Sequence, residues 1–160
     1  NIMKPWIKSL ISGLAGSLIM FILMMIAING IGIAPFNMPP SAAFLKSLGI
    51  TPKPLALIIH FSYGAIAAVF LHEVFKNKSK IVYGIGLAIA MWLIMMFVVS
   101  PIIGWGILGT NAGTIDGALA LSSTPKYIIS TFILHLIYGL TIGLIQKAWI
   151  SNKADYNFAQ

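Results

Sequence analysis

Long apolar runs, rather than an alternation of apolar and polar positions, dominate this chain. Four stretches of roughly 20 residues or more are almost free of charge, at about 9–28, 52–75, 81–101 and 125–150. Runs of that length cross the hydrocarbon core of a bilayer as single helices. The pattern therefore predicts an all-α integral membrane protein of four transmembrane helices. Boundary residues agree with those limits. Thr51-Pro52 and Thr124-Pro125 each read as an N-cap followed by proline at the first helical position. Asn29-Gly30 and Ser100-Pro101 stop the first and third helices. The two longer connections are rich in Gly and Pro and have room for short interfacial helices near 41–48 and 115–121.

The second half repeats the first. Met20-Phe-Ile-Leu-Met-Met-Ile matches Met91-Trp-Leu-Ile-Met-Met-Phe, Thr51-Pro-Lys matches Thr124-Pro-Lys, and His60-Phe-Ser-Tyr-Gly matches His135-Leu-Ile-Tyr-Gly. Two of the three histidines have Tyr at +3 and Gly at +4. Composition alone gives each of them roughly a 0.3% chance of both. A hairpin of about 9–75 is thus predicted to recur at about 81–150, within a single domain spanning 1–160. Each copy has an even number of spans, so the two keep the same orientation as parallel repeats. The offset grows from 71 at the methionines to 73 at Thr-Pro-Lys and 75 at the histidines, so the symmetry is approximate.

Charge fixes the sidedness. Only 8% of the 160 residues are charged and 59% are hydrophobic, against about 25% charged in soluble domains. Mean hydropathy is +0.96. All ten basic residues are lysines. Lys4, Lys8, Lys76, Lys78, Lys80, Lys147 and Lys153 fall on one side; Lys46, Lys53 and Lys126 fall on the other. Positive residues stay inside, so both termini and the 76–80 loop are expected in the cytoplasm, with the chain multi-pass in a prokaryotic inner membrane. The run around 9–28 is too long for a signal peptide's apolar region and lacks a cleavage pattern, so it reads as an uncleaved first helix. Trp6 and Trp149 suit an aromatic belt at one interface and Trp105 at the other. Lysines confined to helix ends form no basic stripe, which argues against nucleic acid.

The opening KPWIKSLISGLAGSLIM, the SPIIGWG turn and the paired His-x-x-Tyr-Gly helices resemble a family of small four-helix microbial membrane proteins with no assigned activity. The resemblance covers nearly the whole chain and implies the same four-helix topology. It implies no functional residue.

Candidate chemistry centres on His60 and His135, eight residues beyond Pro52 and ten beyond Pro125. That puts them about 12 and 15 Å along their helices, inside the hydrocarbon, where an ionisable group is a functional candidate. Two imidazoles at matched depth suit axial ligation of a b-type haem, or a metal site. The competing reading is structural. His60, Gly64 and Ala68 share one helix face, as do His135, Gly139 and Gly143, and small residues at that spacing let backbones approach while a neutral histidine hydrogen-bonds across. Tyr63 and Tyr138 read as packing residues whose hydroxyls find an acceptor. His72 and Glu73 read as a solvated pair. The methionine clusters are contact fillers or, less well, thioether copper ligands. Absence of Cys and Arg excludes thiolate metal centres and bidentate phosphate clamps. Asp116 is the only carboxylate on the outer side, so no acid–base pair forms there.

These readings point to a non-catalytic membrane protein: a small accessory or binding subunit of a larger assembly, such as a respiratory one, with a haem b or metal site at the histidines. Its partners would be the lipid bilayer and either other membrane subunits or further copies of itself. The alternative is a small dimeric transporter with its site at the repeat interface.

Overall fold

The structure, a computed structural model, describes residues 3–51, 53–76, 81–114 and 120–151. The described residues form α1 (Pro5–Gly30), α2 (Pro40–Ser47), α3 (Lys53–Phe75), α4 (Ile81–Ile102) and α5 (Thr124–Ile150). All but α2 contain a segment long and apolar enough to cross a membrane. The shorter spans have 22 residues, and at about 1.5 Å per residue they reach about 33 Å, the thickness of a hydrocarbon core. No strand forms among the described residues; an isolated bridge joins Phe36 to Leu121.

The four long helices stand in the order α3–α1–α5–α4 around a ring. Three neighbouring pairs pack closely: α3 on α1, α1 on α5 and α5 on α4. The fourth side, between α3 and α4, is barely in contact. Phe75 stacks on Tyr83 there, with ring centroids 4.0 Å apart, at the end where the two helices are joined. Lys8 Nζ donates to Trp149 O at 2.9 Å, so the start of α1 and the end of α5 lie together at that same lysine-bearing end.

Glycine makes the close pairs possible. A Cβ on Gly13 of α1 would sit 2.6 Å from the Gly64 carbonyl oxygen and 2.7 Å from Ala65 Cα of α3. In the other hairpin a Cβ on Gly84 of α4 would collide with the Gly139 carbonyl of α5 and approach Gly143 Cα to 3.0 Å. Gly16 faces Tyr138 and Ile142 of α5 with only 2.9 and 3.0 Å to spare. With lipid rather than water around them, membrane helices have little apolar burial to gain and hold together through such backbone approach and polar bonds.

At the opposite end, α2 and the two long connections cover the ring. Trp105 stacks on Phe36 at 5.8 Å and meets Tyr127 edge-on at 5.3 Å. Trp105 and Tyr127 are fully buried at 0% exposure. Trp105 is therefore a core residue and not the belt residue expected for it, because the 103–109 turn folds back over α5. Trp6 and Trp149, by contrast, are exposed. The expected cap at Thr124 is also corrected: Ser123 precedes the helix, and Thr124 Oγ1 donates to Gly109 O at 2.6 Å. The short helix expected near 41–48 is α2. Pro52, the loop lysines at 78 and 80, and most of the 115–121 segment lie outside the described residues. In α4 the helix widens to a π turn at Met95–Val99. Pro101 follows and has no N–H to return to the Phe97 carbonyl, which accounts for the widening.

Gly139 tests the packing. A Cβ there would lie 2.5 Å from Ala88 Cβ and 2.5 Å from the Gly84 carbonyl oxygen, so Gly139→Ala should destabilise the fold by about 1–3 kcal/mol. Gly86, on the exposed side of α4 with nothing within 4 Å, should accept alanine with no loss, or gain up to about 1 kcal/mol. Thermal melts of the two variants in one detergent give the comparison, and equal melting would contradict the packing account.

Candidate functional site

Because α3 and α4 fail to close the ring, a cavity of about 250 Å³ remains among the four long helices. Each helix contributes to its wall. α1 supplies Ser17, Met20 and Met24; α3 supplies His60, Tyr63 and Gly64; α4 supplies Met91, Met95 and Val99; α5 supplies Thr131, Leu134, His135 and Tyr138. Phe36 and, from α2, Pro40, Ser41 and Phe44 line its other end. The π turn of α4 falls at this wall. Three sides of the ring are closely packed and the α3–α4 side is not; Tyr63, which lines the cavity from α3, is 47% exposed.

The two histidines are thus brought to one space, with different attachments. His60 Nε2 lies 3.0 Å from the Ser17 carbonyl of α1. His135 Nδ1 lies 2.8 Å from the carbonyl of Thr131, one turn back on its own helix. A carbonyl only accepts, so His60 carries its proton on Nε2 and His135 on Nδ1. Phe21 and Phe61 flank His60 at 5.7 and 5.4 Å between centroids. His135 is 4% exposed.

A bis-histidine haem does not fit this arrangement. It needs both ligand nitrogens facing each other across roughly 4 Å, two iron–nitrogen bonds of about 2 Å. A cavity of about 250 Å³ falls below the roughly 300–1,000 Å³ of drug-sized sites, too small for a porphyrin. Nor do Gly64 and Gly139 face one another; each packs against the first helix of its own hairpin. Among the described residues no three of His, Cys, Asp or Glu gather as a metal site.

A polar seam runs from the cavity to the lysine-bearing end. On α3, positions 60, 64, 68 and 72 recur every four residues and share one face. Tyr138 Oη donates to Gly64 O at 2.5 Å, and Gln146 Nε2 to Ala68 O at 3.0 Å. Gln146 also reaches Ser12 Oγ at 3.3 Å, and Ser12 donates to Ser9 O at 2.7 Å. These donors tie α5 to α3 across α1 although the two backbones stand apart. On the other flank Trp92 Nε1 donates to Thr131 Oγ1 at 3.1 Å, joining α4 to α5. His72, expected in a solvated pair with Glu73, is buried at 6% exposure. Its Nδ1 has no hydrogen-bond partner among the described residues, while Glu73 pairs with Lys76 instead. The α3 stripe explains the correction: His72 falls on the face turned to α1, and Glu73 one residue on does not.

Tyr63 and Tyr138, matched in sequence, part company here: Tyr138 is 1% exposed and bonded, Tyr63 half exposed at the mouth. α5 has α1 and α4 packed closely on its two sides, whereas among the long helices α3 packs closely against α1 alone. Gln146, Ser12, Thr131 and Trp92 were not singled out from the sequence. Polar residues inside an apolar run were the available signal, and their partners lie 39 to 134 residues away.

Helices of membrane-crossing length and composition around an internal cavity define an all-helical protein of the membrane-spanning class. Residues 3–155 match a family of unknown function, DUF6789, and the chain belongs to that family. No curated protein and no solved structure matches it.

Proposed function

We propose that this is a non-catalytic integral membrane protein, a small binding or accessory subunit that holds a lipid-borne guest between its two hairpins. The single observation that carries the reading is the cavity at the open α3–α4 side. It is walled by thioethers and aromatic rings, with a few convergent polar groups from His60, His135 and Ser17. Apolar pockets with sparse polar handles are the usual form of small-molecule sites, and methionine walls adapt to varied guests. Among the described residues no carboxylate lines the cavity, which favours binding over acid–base catalysis.

The repeat belongs to this proposal. Gly13 approaches Gly64 as Gly84 approaches Gly139, and these pairs carry the same offsets, 71 and 75, as the methionine and histidine motifs. Under that correspondence Met20 and Met24 pair with Met91 and Met95 around a twofold axis through the cavity. Leu87 then stands where Gly16 would be. Gly16 lets α1 close on α5; leucine at the equivalent position keeps α4 off α3. The asymmetry that opens the cavity follows from this one difference in bulk.

We place both termini in the cytoplasm and the α2 end outside, on the strength of seven lysines against three. The second reading, a small dimeric transporter, draws on the cavity's position at the junction of the two hairpins, where repeat transporters keep their sites. Association with other membrane subunits or further copies suits an accessory role.

Cysteine introduced at Ser41 should react with an impermeant maleimide from outside intact cells, and cysteine at Ser79 only after lysis. Labelling of both from one side would reverse the topology. For binding, the protein in nanodiscs should take up a small solvatochromic lipophile saturably. Met95→Trp, which fills the cavity, should weaken this uptake at least tenfold at unchanged melting temperature. Equal, unsaturable partition into both would remove the binding function.

A further inference from the structure

We infer that the guest of this cavity is a lipid-soluble ring compound bearing a hydroxyl donor, a phenol or hydroquinone, held through His135 Nε2. This rests on the reading of the cavity as a binding site and names the chemistry it selects. With Nδ1–H fixed on the Thr131 carbonyl at 2.8 Å, a neutral His135 presents Nε2 as a lone pair. A second proton would place a charge in hydrocarbon, at a cost of several kcal/mol on the usual scales. Nε2 has no partner among the described residues. It is not among the atoms sealed without a partner in the packing either, so it opens on the cavity that His135 lines.

The hydroxyls beside it on α5 cannot satisfy it. Thr131 Oγ1 donates to Tyr127 O at 2.6 Å, and Tyr138 Oη to Gly64 O at 2.5 Å. Each has one proton and has used it. The rigid, buried part of the wall is therefore an acceptor in want of a donor, while Ser17 and Tyr63 can rotate to suit either kind of guest. An unmet buried acceptor is costly, and a guest that supplies the proton removes that cost where an ether or quinone oxygen would add a second unmet acceptor. The thioethers on opposite walls suit a flat ring, since sulfur favours aromatic edges and faces. Size agrees as well: a dry cavity of about 150 Å³ takes benzene, so about 250 Å³ suits two fused rings. Access is from the bilayer, through the α3–α4 gap.

Matched probes test this on the unmodified protein. Naphthol, methoxynaphthalene and naphthoquinone share a ring system and differ in carrying a donor or not. In nanodiscs, with partition into protein-free discs subtracted, naphthol should bind about 3–10-fold more tightly than the other two, the weight of one net hydrogen bond. Nitrogen NMR should show the His135 Nε2 resonance moving with naphthol and not with methoxynaphthalene. His135→Phe should reduce naphthol to the affinity of the ether. Equal affinities, or a stationary Nε2 resonance, would overturn the donor assignment and leave the cavity standing. Failure of all three probes to bind saturably would instead overturn the cavity as a site, and this inference with it.

Discussion

The contact on which the rest depends is the backbone approach of the two helices within each hairpin, Gly13 over Gly64 and Gly84 over Gly139. Lipid is as apolar as leucine, so burying side chains from it gains little, and the helices are held by what close approach adds: dispersion and polar bonds between backbones and short side chains. Close approach at these glycines brings the Ser17 carbonyl within reach of His60, and the α1–α5 approach at Gly16 brings Tyr138 to the Gly64 carbonyl. A methyl group at any of these positions would displace the donors along the seam. Packing and polar satisfaction are thus one constraint.

The same constraint leaves the cavity. Two tightly paired hairpins share a third close contact between α1 and α5, and geometry then forces the fourth side of the ring to stay open unless α3 and α4 also carry small residues where they would meet. They do not: Leu87 and the half-exposed Tyr63 face that side in the proposed correspondence. The cavity is therefore a consequence of which positions lack side-chain bulk. Its chemistry is set by residues needed elsewhere, since Thr131 and Tyr138 spend their protons tying helices together and leave His135 with an unused lone pair.

Much of the architecture was legible because run length is a direct physical signal. Four apolar stretches of bilayer length gave the spans to within a few residues, and the glycine stripes of α3 and α5 announced close contacts. What they contact was not legible. The sequence named no partner for Gly64 or Gly139, and each meets the first helix of its own hairpin, because periodicity names a face and not its neighbour. Trp105 looked like a belt residue from its place near a helix end; the turn that buries it depends on Phe36 and Tyr127, far away in sequence. The methionine clusters and the histidines were visible as separate motifs. Their convergence on one cavity is a tertiary fact, and so is the proton bookkeeping that distinguishes His60 from His135.

The central claim is that a lipid-accessible cavity between the hairpins is lined by His60, His135 and the paired methionines. A small diazirine lipophile, photolysed with the reconstituted protein and mapped by mass spectrometry, measures this directly. Leu134 and Met95, at 8% and 9% exposure, should be labelled saturably, and labelling should fall when unlabelled guest is added. Ile66 and Phe70, at 68% and 60% exposure, should be labelled without saturation and be indifferent to the guest. Labelling confined to Ile66, Phe70 and other outward residues, with Leu134 and Met95 untouched, would contradict the account.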